Sequence, residues 1–221
     1  MKPAFYLLFV SAITVFFLVR AEILGKRRQI YVLKPISTLL VIAVACLSFL
    51  EPAQNPTYTV GVLVGLLLSF GGDLALMFQE NRRAFAAGLG LFLLAHVAYA
   101  IVFVLLGRVS NSDIFSTLVL LAAGVGFYML IQPNLGTMRV PVIVYILVIS
   151  VMVSRAISAL ASPVFSSGQA LLIAIGAVLF YISDIVLAAC RFWKPWKYQR
   201  ISLAFYYSGQ LSIALAASYF A

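Results

Sequence analysis

The chain has 221 residues, 64% of them hydrophobic and only 10% charged, with a formal net charge of +9 and a mean hydropathy of +1.12. Soluble globular domains carry roughly a quarter charged residues, so this composition excludes them and marks a polytopic membrane protein. A positive net charge in such a chain is first a topology signal and carries no implication of a nucleic-acid partner.

Apolar stretches follow one another at about residues 3 to 19, 35 to 50, 58 to 78, 84 to 106, 113 to 131, 140 to 161, 168 to 192 and 200 to 220. Each approaches the roughly 17 to 25 residues that cross a hydrocarbon core as a helix. The fold class expected is all-α: a single integral membrane domain over residues 1–221, with eight transmembrane helices and almost no soluble remainder. Ahead of the first stretch stands only Lys2, and the strong basic cluster follows it, so a retained helix is expected and not a cleaved signal peptide. Pro35 and Pro141 suit the first turns of helices two and six, whereas Pro52, Pro56, Pro133, Pro163 and Pro195 fall in or beside loops. Cys46 and Cys190 show no spacing typical of a disulfide or metal framework.

If the first loop is cytoplasmic, that side holds Arg20, Lys26, Arg27, Arg28, Lys34, Arg82, Arg83, Arg139, Arg191, Lys194, Lys197 and Arg200, twelve of the 15 Lys and Arg. The other side keeps Lys2 and Arg108, and Arg155 lies in the sixth stretch, within snorkelling reach of its outer end. The positive-inside rule then puts the chain in the cell membrane with both termini outside the cytoplasm. Membrane lipids are the expected surroundings, and no protein partner is implied. Glu22, Glu51, Glu80 and Asp113 fall in loops or at helix ends, where capping or solvation is a sufficient account.

Two acids are different. Asp73, in Gly71-Gly72-Asp73-Leu74-Ala75-Leu76, and Asp184, in Tyr181-Ile182-Ser183-Asp184-Ile185-Val186-Leu187, lie inside apolar runs. Insertion scales put the cost of such a charge at roughly 2.5 to 3.5 kcal/mol, which calls for a functional explanation. An internal echo links them. Aligning Asp73 with Asp184 also aligns Gly65 with Gly176, His96 with Tyr207 and Tyr99 with Gln210. Four helices per half would make the halves two parallel repeats about an axis along the membrane normal, with the acids facing each other at similar depth.

The supporting candidates have two readings each. His96 and Tyr99 share a face of helix four, and Tyr207 and Gln210 share one of helix eight; they line a polar cavity around the acids or bond neighbouring helices. Lys34, at the start of helix two, meets a phosphate headgroup or serves only as an interfacial charge. Tyr145 and Tyr181 supply hydroxyls or merely pack, and Ser183 bonds a substrate or its own helix backbone. Gly61, Gly65, Ser69 and Gly72 form a small-residue face that permits close helix contact.

A hydrolytic zinc site needs about three protein ligands, and one histidine in the chain argues against it. Nucleophilic serine catalysis lacks its elbow motif. The ordered set Lys34-Pro35, Gly72-Asp73, Gly88-Leu89-Gly90 with Phe92, His96-Val97-Ala98-Tyr99, Tyr145, Met152, Gly176-Ala177-Val178-Leu179-Phe180, Ser183-Asp184, Tyr206-Tyr207 and Gln210 resembles the YhhN family of transmembrane lysoplasmalogenases along nearly the whole chain. The resemblance implies eight helices, catalytic Asp73 and Asp184, and a lysophospholipid substrate whose vinyl ether bond is hydrolysed to a fatty aldehyde and a glycerophospho-alcohol. Protonation of the β-carbon gives an oxocarbenium ion that water captures, which takes one acid and one base and no cofactor. Two neighbouring carboxyls in a water-poor setting share a proton and can divide those roles, in an order the sequence leaves open. The rival reading is a proton-coupled transporter of a small molecule or lipid, using the same two aspartates.

Overall fold

The computed structural model describes residues 3–52, 54–108, 111–196 and 199–219. Lys2 and Lys197, counted in the charge bias, lie outside the described residues. Eight α-helices are present among those residues: α1 (Pro3–Ile23), α2 (Arg27–Leu47), α3 (Pro56–Leu76), α4 (Arg82–Leu106), α5 (Asn111–Ile131), α6 (Arg139–Ser158), α7 (Ser167–Phe192) and α8 (Ser202–Ala216). Seven of them are long and apolar enough to cross a membrane. The eighth, α8, has 15 residues and is prolonged at both ends by 3-10 turns, Gln199–Ile201 and Ala217–Tyr219.

Local chemistry sets the helix starts. Asn55 accepts a hydrogen bond from the Tyr58 amide with Pro56 at the first helical position of α3, and Asn81 caps α4 in the same way. Ser166 and Gln169 form a reciprocal capping box at α7. Helix α2 departs from expectation. It begins at Arg27, so Pro35 lies inside it and Lys34 sits two turns in, buried instead of interfacial. A charged residue ordinarily bounds an apolar run, but Lys34 meets a carboxylate in the bundle and the helix continues through it.

The tightest pairs are α3 on α4 and α7 on α8. Close approach explains both. A Cβ on Gly72 would stand 2.7 Å from the Phe92 ring, and one on Gly65 would penetrate Tyr99. Between α7 and α8 the backbones themselves meet, with the Gly176 carbonyl 2.7 Å from where a Cβ of Gly209 would be. Beyond these pairs, α4 packs on α6 and α8 packs on α2. Helix α8 ends up surrounded by α1, α2, α3 and α7. Large apolar side chains such as Phe9, Phe115 and Val140 cover the outside, as lipid contact requires.

The basic loops converge at one end. Arg27 pairs with Glu80 at 2.6 Å, Arg82 bonds Thr137, the Asn134 side chain donates to the Phe192 carbonyl at 2.7 Å, and Arg200 pairs with Glu22 at 3.3 Å. The α1–α2, α3–α4, α5–α6 and α7–α8 connections are thereby tied together. Arg155 does not snorkel outward. Its Nη1 pairs with Asp113 Oδ2 at 2.9 Å, and both side chains are largely buried between α5 and α6. The two charges lie in different helices, so nothing in the sequence couples them; burial makes each the other's compensation.

Gly209→Val drives a methyl-bearing carbon into the α7 backbone and is expected to cost about 1 to 3 kcal/mol or more. Gly126→Ala, at a position with nothing within 4 Å, is expected to leave stability unchanged. Thermal unfolding of the two purified variants in detergent separates them.

Candidate functional site

Asp73 sits in the last turn of α3, buried, and three neighbouring side chains meet its carboxylate. Lys34 of α2 brings its Nζ to 3.6 Å from Oδ1. Thr38, one turn further along α2, donates to Oδ2 at 2.7 Å, and Tyr206 of α8 donates to the same oxygen at 2.8 Å. Both oxygens therefore face donors, as suits an ionised carboxylate. Tyr207 stands one step behind: its hydroxyl donates to the Lys34 carbonyl at 3.2 Å and lies 3.2 Å from Thr38 Oγ1.

Asp184, in the middle of α7, meets a different set. Tyr145 of α6 donates to Oδ2 at 2.7 Å, and His96 Nε2 of α4 lies 3.1 Å from the same oxygen and 3.0 Å from the Tyr145 hydroxyl. The imidazole is fully buried, edge-on to Phe180 at 4.6 Å between centroids, and its Nδ1 has no hydrogen-bond partner among the described residues. A proton on Nε2 donates to Asp184, whereas one on Nδ1 would have no acceptor, so the Nε2–H tautomer fits. The Asp184 side chain keeps 18% of its surface exposed.

The two acids line one chamber. A cavity of about 50 Å³ is bounded by Lys34, Asp73, Tyr145, Ser183, Asp184 and Tyr206, with Phe85, Leu89, Phe92 and Leu187 among its apolar walls. Toward the basic loops this chamber adjoins a vestibule of about 620 Å³, lined by Glu22, Arg27, Glu80, Arg191 and Arg200. Leu76, Phe85, Leu187 and Ser202 border both. On the other flank lies an apolar compartment of about 60 Å³ between α5, α6 and α7, walled by Phe127, Val142, Ile146, Ile149 and Tyr181, with Asp184 and Tyr145 at its margin.

The candidates thus fall into distinct places. Asp73, Asp184, Lys34, Tyr145 and Ser183 line the chamber; His96 touches Asp184 from behind; Tyr207 braces Lys34 and Thr38. Tyr181 belongs to the apolar compartment. Tyr99 donates to Gln210 Oε1 at 2.7 Å, so these two join α4 to α8 without lining the chamber. Thr38 and Tyr206 bond Asp73 directly and were not among the candidate site residues, although Tyr206 stands in the family motif. Thr38 lies one helical turn from Lys34, which was the available signal; for Tyr206, the alignment of the halves pointed one residue on, to Tyr207. Among the described residues no group of three or more His, Cys, Asp or Glu is placed to hold a metal ion.

A sequence model of the YhhN family matches residues 29–217. The chain belongs to the YhhN family. It is 33% identical over 132 residues to proteins named "Lysoplasmalogenase" from Mycobacterium bovis and Mycobacterium tuberculosis, covering 58% of this chain and 48% of each relative. It is 31% identical over 159 residues to "Lysoplasmalogenase TMEM86A" of Bos taurus, covering 71% of this chain and 64% of that protein. The matches thus span about half the length of the mycobacterial relatives and just under two thirds of the bovine one. No solved structure matches the chain. Membership in this family and the run of apolar helices make the chain a multi-pass membrane protein.

Removing one member of a buried ion pair leaves the other uncompensated, at a cost of about 3 to 5 kcal/mol. Lys34→Met is therefore expected to destabilise the protein strongly, and the double variant Lys34→Met/Asp73→Asn to recover most of that loss. Thermal unfolding of the single and double variants measures the coupling.

Proposed function

We propose that the chain hydrolyses the vinyl ether bond of lysoplasmalogen-type lysophospholipids, using Asp73 and Asp184 as base and acid. The observation that carries this reading is the series of spaces: a charged vestibule, a narrow chamber bounded by both carboxyls, and an apolar compartment. A lysoplasmalogen has the same order of parts, a polar headgroup, the enol ether and an alkyl chain. The names borne by the relatives support the same reaction class.

Asp184 is the acid. Its Oδ2 accepts from Tyr145 and His96, which leaves Oδ1 to carry a proton, and among the described residues it has no Lys or Arg ion-pair partner. The proton passes from Oδ1 to the β-carbon as the C=C π pair forms the new C–H bond, leaving an oxocarbenium ion at the α-carbon. Asp73, held ionised by Lys34, stabilises that cation and takes a proton from the water that adds to it. The resulting hemiacetal collapses as Asp73 returns its proton to the departing glycerol oxygen and the hydroxyl gives its proton to Asp184, so an aldehyde and an alcohol leave and both acids regain their starting states. Water is consumed, and neither metal nor redox partner is required.

The architecture belongs to the same reading. The offset that takes Asp73 to Asp184 also takes Lys34 to Tyr145, which reach those two acids, and Tyr99 to Gln210, which bond each other. The packing of α4 on α6 parallels that of α8 on α2. These relations support a tandem of two parallel four-helix repeats, with α8 and its 3-10 ends as the eighth membrane crossing. By the positive-inside rule the vestibule faces the cytoplasm and the termini lie outside.

Asp184→Asn is expected to lower aldehyde release from a lysoplasmalogen by at least about 100-fold with the fold retained, and Asp73→Asn to lower it as much together with a loss of thermal stability, because Lys34 is left uncompensated. The assay uses purified protein in detergent, where a transporter would show no turnover at all. Formate or azide restoring turnover to Asp73→Asn but not to Asp184→Asn tests which acid is which; the reverse pattern inverts the assignment, and near-normal activity in either variant removes that residue from the reaction.

A further inference from the structure

The vestibule is chemically uneven. Three arginines and two glutamates line it. Arg27 is engaged by Glu80, and Arg200 by Glu22 through its Nε. Arg191 differs: its guanidinium lies 4.8 Å from the centroid of the Phe85 ring, and among the described residues it has no carboxylate partner. Stacking on an aromatic face fixes the plane of the guanidinium while leaving its N–H donors unspent. Phe85 borders the vestibule, the chamber and the apolar compartment alike, so the cation it carries stands where the three spaces join.

Glu22 and Arg200 occupy the neck, since both line the vestibule and the chamber. The Glu22 side chain is 10% exposed and that of Arg200 31%. An ion pair in this position presents a donor and an acceptor a few ångströms apart to whatever enters. A phosphate beside a primary or quaternary amine has the complementary pattern, and an unpaired arginine adds the charge that a phosphate monoanion balances.

We infer that Arg191, Arg200 and Glu22 form a headgroup site for a zwitterionic phospho-amine, with the two arginines on the phosphate and Glu22 on the ammonium. The inference rests on the substrate reading above but is tested separately from it, because binding does not need a cleavable bond. With the phosphate held at Arg191 and Arg200, the glycerol threads the neck past Leu76, Phe85 and Leu187, and the first chain carbons arrive between Asp73 and Asp184. Headgroup recognition thereby registers the reacting bond.

The experiment measures binding of two saturated 1-alkyl ethers, neither of which can be hydrolysed by enol protonation: the lysophosphoethanolamine and the phosphate-free 1-alkylglycerol. Wild-type protein in detergent is expected to bind the phosphate-bearing lipid at least about tenfold more tightly, and Arg191→Gln to reduce that preference to within about threefold. Glu22→Gln is expected to lose preference for the ethanolamine headgroup over an anionic phosphoglycerol headgroup. Arg191 is exposed, so its replacement leaves a folded protein in which to measure the ratio. Equal wild-type affinity for the two ethers, or an Arg191→Gln protein that keeps the full preference, overturns the site. Tight, phosphate-dependent binding without hydrolysis of the corresponding vinyl ether would instead leave the headgroup site standing and remove the proposed reaction.

Discussion

The ammonium of Lys34 facing the carboxylate of Asp73 inside the bundle is the constraint around which the rest is arranged. In a medium of low polarity neither charge is tolerable alone, and together they still need further hydrogen bonds to offset desolvation. Thr38 and Tyr206 supply those bonds to the carboxylate, and Tyr207 reaches the Lys34 carbonyl. The consequence is mechanical as well as electrostatic. One carboxylate fastens α2, α3 and α8, so the most enclosed helix of the bundle is held by polar contacts in a position that apolar packing alone would leave free to slide or rotate.

Asp184 sits in a comparable place and is treated differently. Where α2 offers Asp73 a cation, α6 offers Asp184 a phenol, and where α8 brings tyrosines, α4 brings an imidazole. Under the tandem-repeat reading these are corresponding positions that have diverged. A site with two identical carboxyls would have no built-in reason to keep one ionised and the other protonated. Lys34 and its counterpart Tyr145 supply a difference: Asp73 has a cation beside it, whereas Asp184 faces a phenol and an imidazole. The division of labour proposed above for the two acids rests on that asymmetry.

The membrane class, the helix positions and the two acids were legible in the sequence because each has a strong one-dimensional signature: long apolar runs, and charges where lipid forbids them. Partnerships were less legible. Lys34 looked like the edge of a helix because a charge usually ends an apolar run, and only the position of Asp73, on another helix, turns it into an interior residue. Arg155 and Asp113 misled in the same way. Tyr206 and Tyr207 differ by 100° around α8, and which of them faces Asp73 depends on the rotation of that helix, something periodicity cannot fix when nearly every face is buried. Thr38 carried no signal of its own, since a hydroxyl one turn from a lysine is ordinary in a membrane helix.

Volume decides what the chamber can do. The chamber, about 50 Å³, is far narrower than the vestibule of about 620 Å³ that adjoins it. The narrowness has a structural source: Phe92 lies against Gly72 of α3, and Phe180 packs edge-on against both Phe92 and Tyr206, which fills the centre of the bundle with rings up to the carboxyls themselves. A larger side chain at Gly72 would push Phe92 into the remaining space, and a smaller one at Phe92 would open it to more water. The glycines of α3 therefore act at two levels, letting α4 approach closely and, through the ring that approach brings in, setting the width of the chamber that the two acids line.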